Sequence, residues 1–128
     1  MFNSLEILRM AHGMASHAAT RQSLIARNVA NADTPDYKAL DMTSFADGYR
    51  AAGPRDLLQS RGGHLGGFGH DDITKTEIYQ VDSGASPNGN TVSLEFELMK
   101  SAETMAQHDM AQAVYKSALN ILRHAVAR

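Results

Sequence analysis

The stretch ARNVANADTPDYK, residues 26–38, decides how this chain folds. A helical pattern leads into it, and a segment rich in glycine follows it. The Thr34-Pro35 step predicts the end of the helix, because a residue before proline disfavours helical backbone and proline has no N–H to donate. Asn28 and Asn31 lie one turn apart before this step. We expect both amides to cap the last carbonyl groups of the helix.

A tight turn is predicted directly after the helix. Asn31 suits a left-handed position at the helix end. Pro35 and Asp36 would then be the central residues of a β-turn, and aspartate at the third turn position favours type I, since type II usually has glycine there. Tyr37 would pack its ring against the helix end and keep its hydroxyl in water.

The helix before this stretch is predicted to run from Ser4 to Ala32. Asn3 and Glu6 have the spacing of a capping box at its start. Small and apolar residues recur at intervals of three and four, which is typical of a helix that packs along one narrow face. These residues are Leu8, Ala11, Ala15, Ala18, Gln22, Ile25 and Val29.

Glycine and proline divide the chain into three parts. Nine of the ten glycines fall between Gly48 and Gly89, and all three prolines lie in or just before that interval. The distribution predicts an N-terminal assembly helix with its stop at 1–38, an irregular middle segment at 39–90, and a C-terminal assembly helix at 91–128.

The C-terminal part has no glycine or proline. Asn90 or Thr91 would cap its helix, and Glu95 and Glu97 would complement the positive end of the helix dipole. A second stripe of small and apolar residues follows the helical period, and Val114 and Ala118 widen it: Met99, Ala102, Ala106, Met110, Ala113, Ser117, Ile121 and Ala125.

The fold class predicted from these patterns is mainly α. The long terminal helices would pack as an antiparallel coiled-coil-like pair around an irregular, Gly-rich middle. That middle would contain a short helix at 43–52, another at 54–60 and a short strand at 73–81. Because one pair of narrow helices leaves many apolar side chains uncovered, we expect further helices to come from other chains.

Composition excludes several classes of protein. A chain of 128 residues suits one domain, and a net charge of −2 implies no attraction to nucleic acid. Without cysteine there is no disulfide scaffold, thiolate zinc site or cysteine nucleophile. No apolar run is long enough to span a membrane, and the first residues lack the pattern of a cleaved Sec-type signal peptide.

Two local patterns raise chemical alternatives. Asp82-Ser83-Gly84 matches the aspartic-protease motif, which a homodimer would complete by pairing two aspartates that share one proton. Such proteases are nearly all β, so a turn after a strand is the favoured interpretation.

Metal-ligand residue types also occur in the glycine-rich segment, at His64, His70, Asp71 and Asp72. Nothing in their spacing fixes a coordination geometry, so solvated loop residues are favoured. We expect no metal, no cofactor and no small-molecule substrate.

Residues 26–38 resemble the N-terminal pattern of the bacterial flagellar rod, hook and hook-associated axial proteins, Asn-Ile/Val-Ala-Asn-x-x-Thr-Pro-Gly-Tyr. Asp36 replaces the usual glycine. GHLGG at 63–67, GNTVSLE at 89–95 and MKSAE at 99–103 are similar to the proximal rod members of that family. The matching residues of the main pattern are Asn28, Ala30, Asn31, Thr34, Pro35 and Tyr37.

The resemblance implies a non-enzymatic structural subunit of the flagellar basal-body rod in the periplasm, exported uncleaved through the flagellar type III channel. Implied partners are other copies of itself, other rod proteins, the rod adapter, the membrane ring and the export gate. A helical adapter or needle-like component of a secretion system is the main alternative, and a membrane-surface helix protein is another. The expected assembly interface comprises Leu8, Ala11, Ala15, Ala18, Ile25, Val29, Met99, Ala102, Ala106, Met110, Ala113 and Ile121.

Overall fold

The computed structural model describes residues 2–51, 76–81, 84 and 86–126. Along the chain, the elements are α1 (Phe2–Ala30), β1 (Leu40–Met42), α2 (Phe45–Ala51), β2 (Ile78–Gln80) and α3 (Leu94–Val126). The two long helices pack against each other and dominate the fold. The predicted mainly helical architecture is therefore confirmed.

The first helix ends at Ala30, two residues before the predicted end. Asn31 still donates its backbone N–H to the Arg27 carbonyl at 3.2 Å and to the Asn28 carbonyl at 3.1 Å. The chain then turns, since Thr34 and Pro35 cannot continue the helix. The Thr-Pro stop thus acts as the sequence predicts.

α1 and α3 run antiparallel along their length. Ala11 and Ala18 on α1 are buried, as are Ala111 and Ala118 on α3. We call these four residues the alanine seam. Because alanine has only a Cβ, the two backbones can approach closely along the seam. On the predicted stripe of α1, Ile25 is also buried, Leu8 and Ala15 are half-buried, and Val29 is exposed.

α3 presents to α1 a different face from the predicted one. Its buried residues are Glu97, Lys100, Thr104, Ala111 and Ala118. The predicted stripe faces away: Met99 is 59% exposed, Met110 60% and Ile121 63%, and Ala102, Ala106 and Ala113 are also exposed.

The prediction that this stripe pairs with α1 within one chain is therefore wrong. The physical reason is that Glu97 and Lys100 turn inward to buried polar partners and so fix the rotation of α3. The assignment of the stripe to an assembly interface between chains stays a prediction.

The middle of the chain adds a two-stranded antiparallel sheet. Leu40 pairs with Gln80 and Met42 with Ile78. β2 and α2 lie within the predicted strand and helix at 73–81 and 43–52, whereas β1 was not predicted. The helix predicted at 54–60 lies outside the described residues.

β1 packs on α1 and also contacts α3 through Asp41, and the start of α2 lies beside His17 of α1. Ala39 and Met42 are buried there. His17 is also buried; its Nε2 is 2.9 Å from the Thr43 carbonyl oxygen, and its ring meets Phe45 edge-on at 5.7 Å between centroids. In the part of the chain that the structure describes, no helix is long and apolar enough to cross a membrane.

Candidate functional site

The family pattern at residues 28–37 folds into a hydrogen-bonded junction around one buried asparagine. Asn28 is fully buried. Its Nδ2 donates to the Leu40 carbonyl at 2.7 Å and to Glu97 Oε2 at 3.1 Å. Its Oδ1 accepts from the Leu40 N–H at 3.0 Å and from the Tyr37 hydroxyl at 3.2 Å. One amide therefore uses its full hydrogen-bonding capacity to tie α1, β1 and α3 together.

This arrangement corrects two of the predictions. Asn28 does not cap α1, because it lies on the buried face and bonds to β1 and α3. The Tyr37 hydroxyl donates to Asn28 and is not left in water. The capping prediction is confirmed for Asn31, whose Nδ2 donates to the Arg27 carbonyl at 2.8 Å. Asn31 is not left-handed, however, since Asp36 is the one non-glycine residue with positive φ among the described residues.

Asn90 caps a different helix from the one predicted. Its Nδ2 lies 2.9, 2.8 and 2.8 Å from the carbonyl oxygens of Asn31, Ala32 and Thr34. Its Oδ1 accepts from the Val92 N–H at 2.7 Å. Asn90 was expected to cap α3 and instead binds the free carbonyl groups at the end of α1. It lies four residues before the start of α3.

Thr91 is also engaged with the first half of the chain. Its hydroxyl oxygen accepts from the Ala39 N–H at 2.9 Å, and its N–H donates to the Tyr37 carbonyl at 3.1 Å. At the start of α3, the Ser93 carbonyl accepts from the Glu97 N–H at 2.9 Å. Neither Asn90 nor Thr91 caps α3, because both are held by the stop of α1.

Asp36 adopts a left-handed conformation, which glycine usually favours. Its φ is +59°, and the Tyr37 N–H closes the turn on the Thr34 carbonyl at 3.4 Å. A left-handed third residue is typical of type II, so the predicted type I turn is wrong. The reason is tertiary: Asp36 donates its N–H to the Asn88 carbonyl at 3.0 Å, which holds it against the turn before α3.

Gly89 makes room for this aspartate. Its φ is +79°, and a Cβ added there would collide with the Asp36 carboxylate. Lys38 also reaches this turn, donating from Nζ to the Gly89 carbonyl at 3.0 Å. The residues around the stop and those before α3 therefore form one docked unit.

A buried ionic network adjoins this unit. Lys100 Nζ lies 2.9 Å from Asp41 Oδ2 and 3.3 Å from Glu97 Oε1, while Arg21 Nε lies 3.2 Å from Asp41 Oδ1. The Met42 N–H also donates to Asp41 Oδ1 at 2.8 Å. We call Arg21, Asn28, Asp41, Glu97 and Lys100 the polar junction. Its two cations and two carboxylates balance in charge.

The network keeps both of its central groups ionised. Burial raises the pKa of Asp41, but the Lys100 ammonium, the Met42 N–H and Arg21 outweigh it and hold this pKa below its ordinary range. Burial lowers the pKa of Lys100, but Asp41 and Glu97 outweigh it and hold this pKa above its ordinary range. Neither group is poised to exchange protons near neutral pH, so the network acts as a structural connection.

The chemical alternatives gain no site from the described residues. Within residues 2–51, 76–81, 84 and 86–126, no group of three or more His, Asp or Glu side chains could hold a metal ion. His64, His70, Asp71 and Asp72 lie outside these residues, as do Asp82 and Ser83 of the protease motif. Gly84 is described as an exposed residue with a φ of +86°.

Sequence reasoning missed the polar junction apart from Asn28. Arg21, Asp41 and Lys100 received no role, and Glu97 was assigned only to the helix dipole. The available signal was the i, i+3 pair Glu97–Lys100 together with an aspartate between the apolar residues Leu40 and Met42. That signal does not reveal that the three elements converge.

Comparison with known proteins gives a consistent result. No family model matches the sequence. The chain is 32% identical over 108 residues to a protein named flagellar basal body rod protein FlgB from Cereibacter sphaeroides, covering 84% of this chain and 83% of that one. FlgB of Agrobacterium fabrum is 27% identical over 121 residues, with 88% and 87% covered. FlgB of Salmonella typhimurium is 28% identical over 119 residues, with 88% and 86% covered. The axial-protein pattern forms the junction of the two long helices. Similarity of this extent shows that the chain belongs to the FlgB family of flagellar basal body rod proteins.

Proposed function

We propose that this chain is a structural subunit of the bacterial flagellar basal-body rod. The observation that carries the proposal is its similarity to FlgB proteins across 84 to 88% of its length. The rod is the part of the flagellum named in those relatives. The proposed location is the periplasmic part of the basal body.

Assembly would proceed through the terminal helices. α3 buries one face against α1 and leaves a second apolar face in water, where Leu98 is 66% exposed and Met105 62%. Exposed apolar area of this extent along one helix favours further burial, at roughly 25 cal/mol for each Å² covered. Neighbouring subunits would supply that cover. The interface would draw on the predicted residues of α1 and α3.

The proposal extends to the route and the neighbours of the subunit. It would leave the cell uncleaved through the flagellar type III export channel and meet the export gate and membrane ring as it assembles. Other copies of itself, other rod proteins and the rod adapter would be its lasting partners. These partners follow from a place in the rod.

The proposed role is not catalytic. In the described residues, the ionisable groups of the polar junction form ion pairs with one another. The paired charges lie beside Asn28, whose amide makes all of its hydrogen bonds. Together they fix the position of α3 relative to α1. A structural subunit of the rod requires a rigid helix pair of this kind.

A deletion strain tests the proposal. Removing the gene should abolish swimming and leave basal bodies with a membrane ring but no rod, as seen by electron microscopy of isolated basal bodies. Expression of the intact chain from a plasmid should restore both. A strain that lacks the gene yet assembles a complete rod would contradict the proposed function.

A further inference from the structure

The turn before α3 contains a dipeptide that can react with itself. Of the six asparagines in the chain, only Asn88 precedes a glycine. The backbone nitrogen of a following glycine can attack the side-chain amide carbon of an asparagine, because glycine has no side chain to obstruct the approach. Asn88 is exposed, so water and base can reach it. Among the asparagines of this chain, Asn88 therefore has the least hindered route to spontaneous deamidation.

The reaction at this step needs water and base alone. Base removes the proton of the Gly89 N–H, and the nitrogen forms a bond to Cγ of Asn88. The side-chain amide nitrogen takes up a proton and leaves as ammonia, which gives a cyclic imide. Water then opens the ring at either of its carbonyl groups. One cleavage gives aspartate, and the other gives isoaspartate, in which the backbone runs through the former side chain. Nothing is oxidised or reduced.

The hydrogen bonds of the folded turn oppose this attack. The Gly89 N–H donates to the Ser86 carbonyl at 2.8 Å, which withholds the proton that base must remove. Oδ1 of Asn88 accepts from the Asn90 N–H at 3.1 Å, and this bond fixes the orientation of the side-chain amide. Both bonds are lost when the Gly89 nitrogen bonds to Cγ of Asn88. The conformation of the turn therefore protects its own reactive step.

Contacts with the stop of α1 hold the turn in this protected conformation. The Asp36 N–H donates to the Asn88 carbonyl at 3.0 Å, and Lys38 Nζ donates to the Gly89 carbonyl at 3.0 Å. Asn90 is buried, and its amide binds the carbonyl groups at the end of α1. The residues before, within and after the reactive step are thus bound to the first half of the chain. Release of these contacts frees the turn to react.

We propose that Asn88 is a spontaneous modification site, closed to deamidation while its turn is docked on the stop of α1 and open when the turn is released. Only molecules with an open turn react, so the rate of modification measures how often the turn opens. Isoaspartate at position 88 hinders redocking, because it lengthens the backbone ahead of Asn90 and shifts the amide that caps α1. This site goes beyond the proposed rod role and does not depend on it.

Mass spectrometry of the full-length chain tests this proposal. Purified protein would be incubated in mildly alkaline buffer, with and without urea, and digested briefly with trypsin. The tryptic peptide 76–100 gains mass when the side-chain amide becomes an acid, and its fragment ions distinguish residue 88 from Asn90. The folded chain should deamidate at residue 88 at least about tenfold more slowly than the chain in urea, because its turn is seldom open. Equal rates would overturn the proposed protection.

Variants at position 36 separate docking of the turn from folding of the helices. Asp36→Pro lacks the N–H that binds the Asn88 carbonyl, and proline cannot adopt the φ of +59° found here. It should release the turn and speed deamidation of Asn88 by about tenfold in the absence of urea. Asp36→Asn is the matched control, because it keeps the N–H and asparagine tolerates the left-handed conformation. It should react at the rate of the intact chain.

Circular dichroism shows whether each variant retains its helices. If Asp36→Pro loses them, Lys38→Met replaces it, since that change removes only the bond to the Gly89 carbonyl and should speed the reaction about twofold. A helical variant with the released turn that reacts no faster than the intact chain would overturn control by docking. Modification of Asn90 ahead of Asn88 would overturn the assignment of the site. Finally, chains carrying isoaspartate should unfold at a lower temperature than unmodified chains, and equal midpoints would contradict the effect on redocking.

Discussion

The two halves of the α1–α3 pair are held together in different ways. At one end, the polar junction buries three charged side chains and a fully bonded amide, and Arg21 is half-buried beside them. Along the other half, the alanine seam offers little beyond close contact. Alanine faces pack in a similar way at many rotations of the helix. The contact of 2.9 Å between Lys100 Nζ and Asp41 Oδ2, in contrast, requires a particular rotation of α3. The polar end therefore sets the rotation and register of α3, and the alanine end is compatible with that arrangement.

This division has an energetic basis. A buried ion pair adds little net stability, since desolvation offsets much of the attraction, but removal of one partner leaves a charge buried and unpaired. Specificity of rotation is therefore the expected role of the junction in this chain.

The largest effect is expected from Lys100→Met. This change leaves Glu97 buried without a cation and Asp41 with Arg21 alone, so it should cost about 3–5 kcal/mol in unfolding free energy. Urea denaturation followed by circular dichroism measures the cost. Lys116→Met, at an exposed position on the same helix, is the control. Equal midpoints for the two variants would contradict a dominant role for the junction.

The next effect is a loss of stability in acid. Because the pKa of Asp41 is lower in the folded chain than in the unfolded one, its contribution is present above the unfolded value and is lost as pH falls through the folded value. The loss should begin below about pH 4. The gap between the unfolding midpoints of the intact chain and Asp41→Asn should narrow across that window. A gap that stays constant down to the acid end would refute the link to Asp41.

The raised pKa of Lys100 gives the opposite dependence at high pH. Its contribution is complete below the ordinary lysine value and is lost as pH rises through the folded value. That window is strongly alkaline, so the junction should be unaffected by pH changes around neutrality.

A smaller effect is expected in the alanine seam. Ala111→Leu adds a larger side chain where the helices touch and should cost about 1–3 kcal/mol. Ala113→Leu adds the same atoms on the exposed face of α3. It should change the unfolding free energy of the isolated chain by no more than about 0.5 kcal/mol. Thermal unfolding of the two variants gives the comparison. Similar costs for both would mean that α3 does not present the described face to α1.

The smallest effect concerns the turn that docks before α3. Gly89→Ala should cost about 1–2 kcal/mol, because the residue is left-handed and its new Cβ meets Asp36. Asp36→Gly should remove the collision but not the left-handed strain at residue 89. The double variant should therefore cost less than the two changes summed, measured as a double-mutant cycle of unfolding free energies. Strict additivity would show that the two residues do not contact.

Much of the fold could be predicted from the sequence. Less of the polar junction could be predicted. Helix lengths followed from the spacing of small and apolar residues and from breakers at Pro35 and in the glycine-rich middle. The rotation of α3 did not follow, because Met99 and Met110 form a better apolar stripe than Glu97 and Thr104. Sequence periodicity identifies the most hydrophobic face of a helix. It does not reveal that a charged residue such as Lys100 pairs with Asp41, which is 59 residues away.

By itself, the sequence determined that two long helices flank an irregular middle, where the first helix stops, and to which family the pattern points. These are local properties: a helix-breaking Thr-Pro step and a residue period act without the rest of the chain. Only the tertiary structure decided the role of each polar group. Asn28, Asn90 and Asp36 each satisfy a partner far along the chain, because a buried hydrogen-bonding group takes its partner from whatever the fold brings near it. That choice turned one face of α3 inward and left its more apolar face exposed.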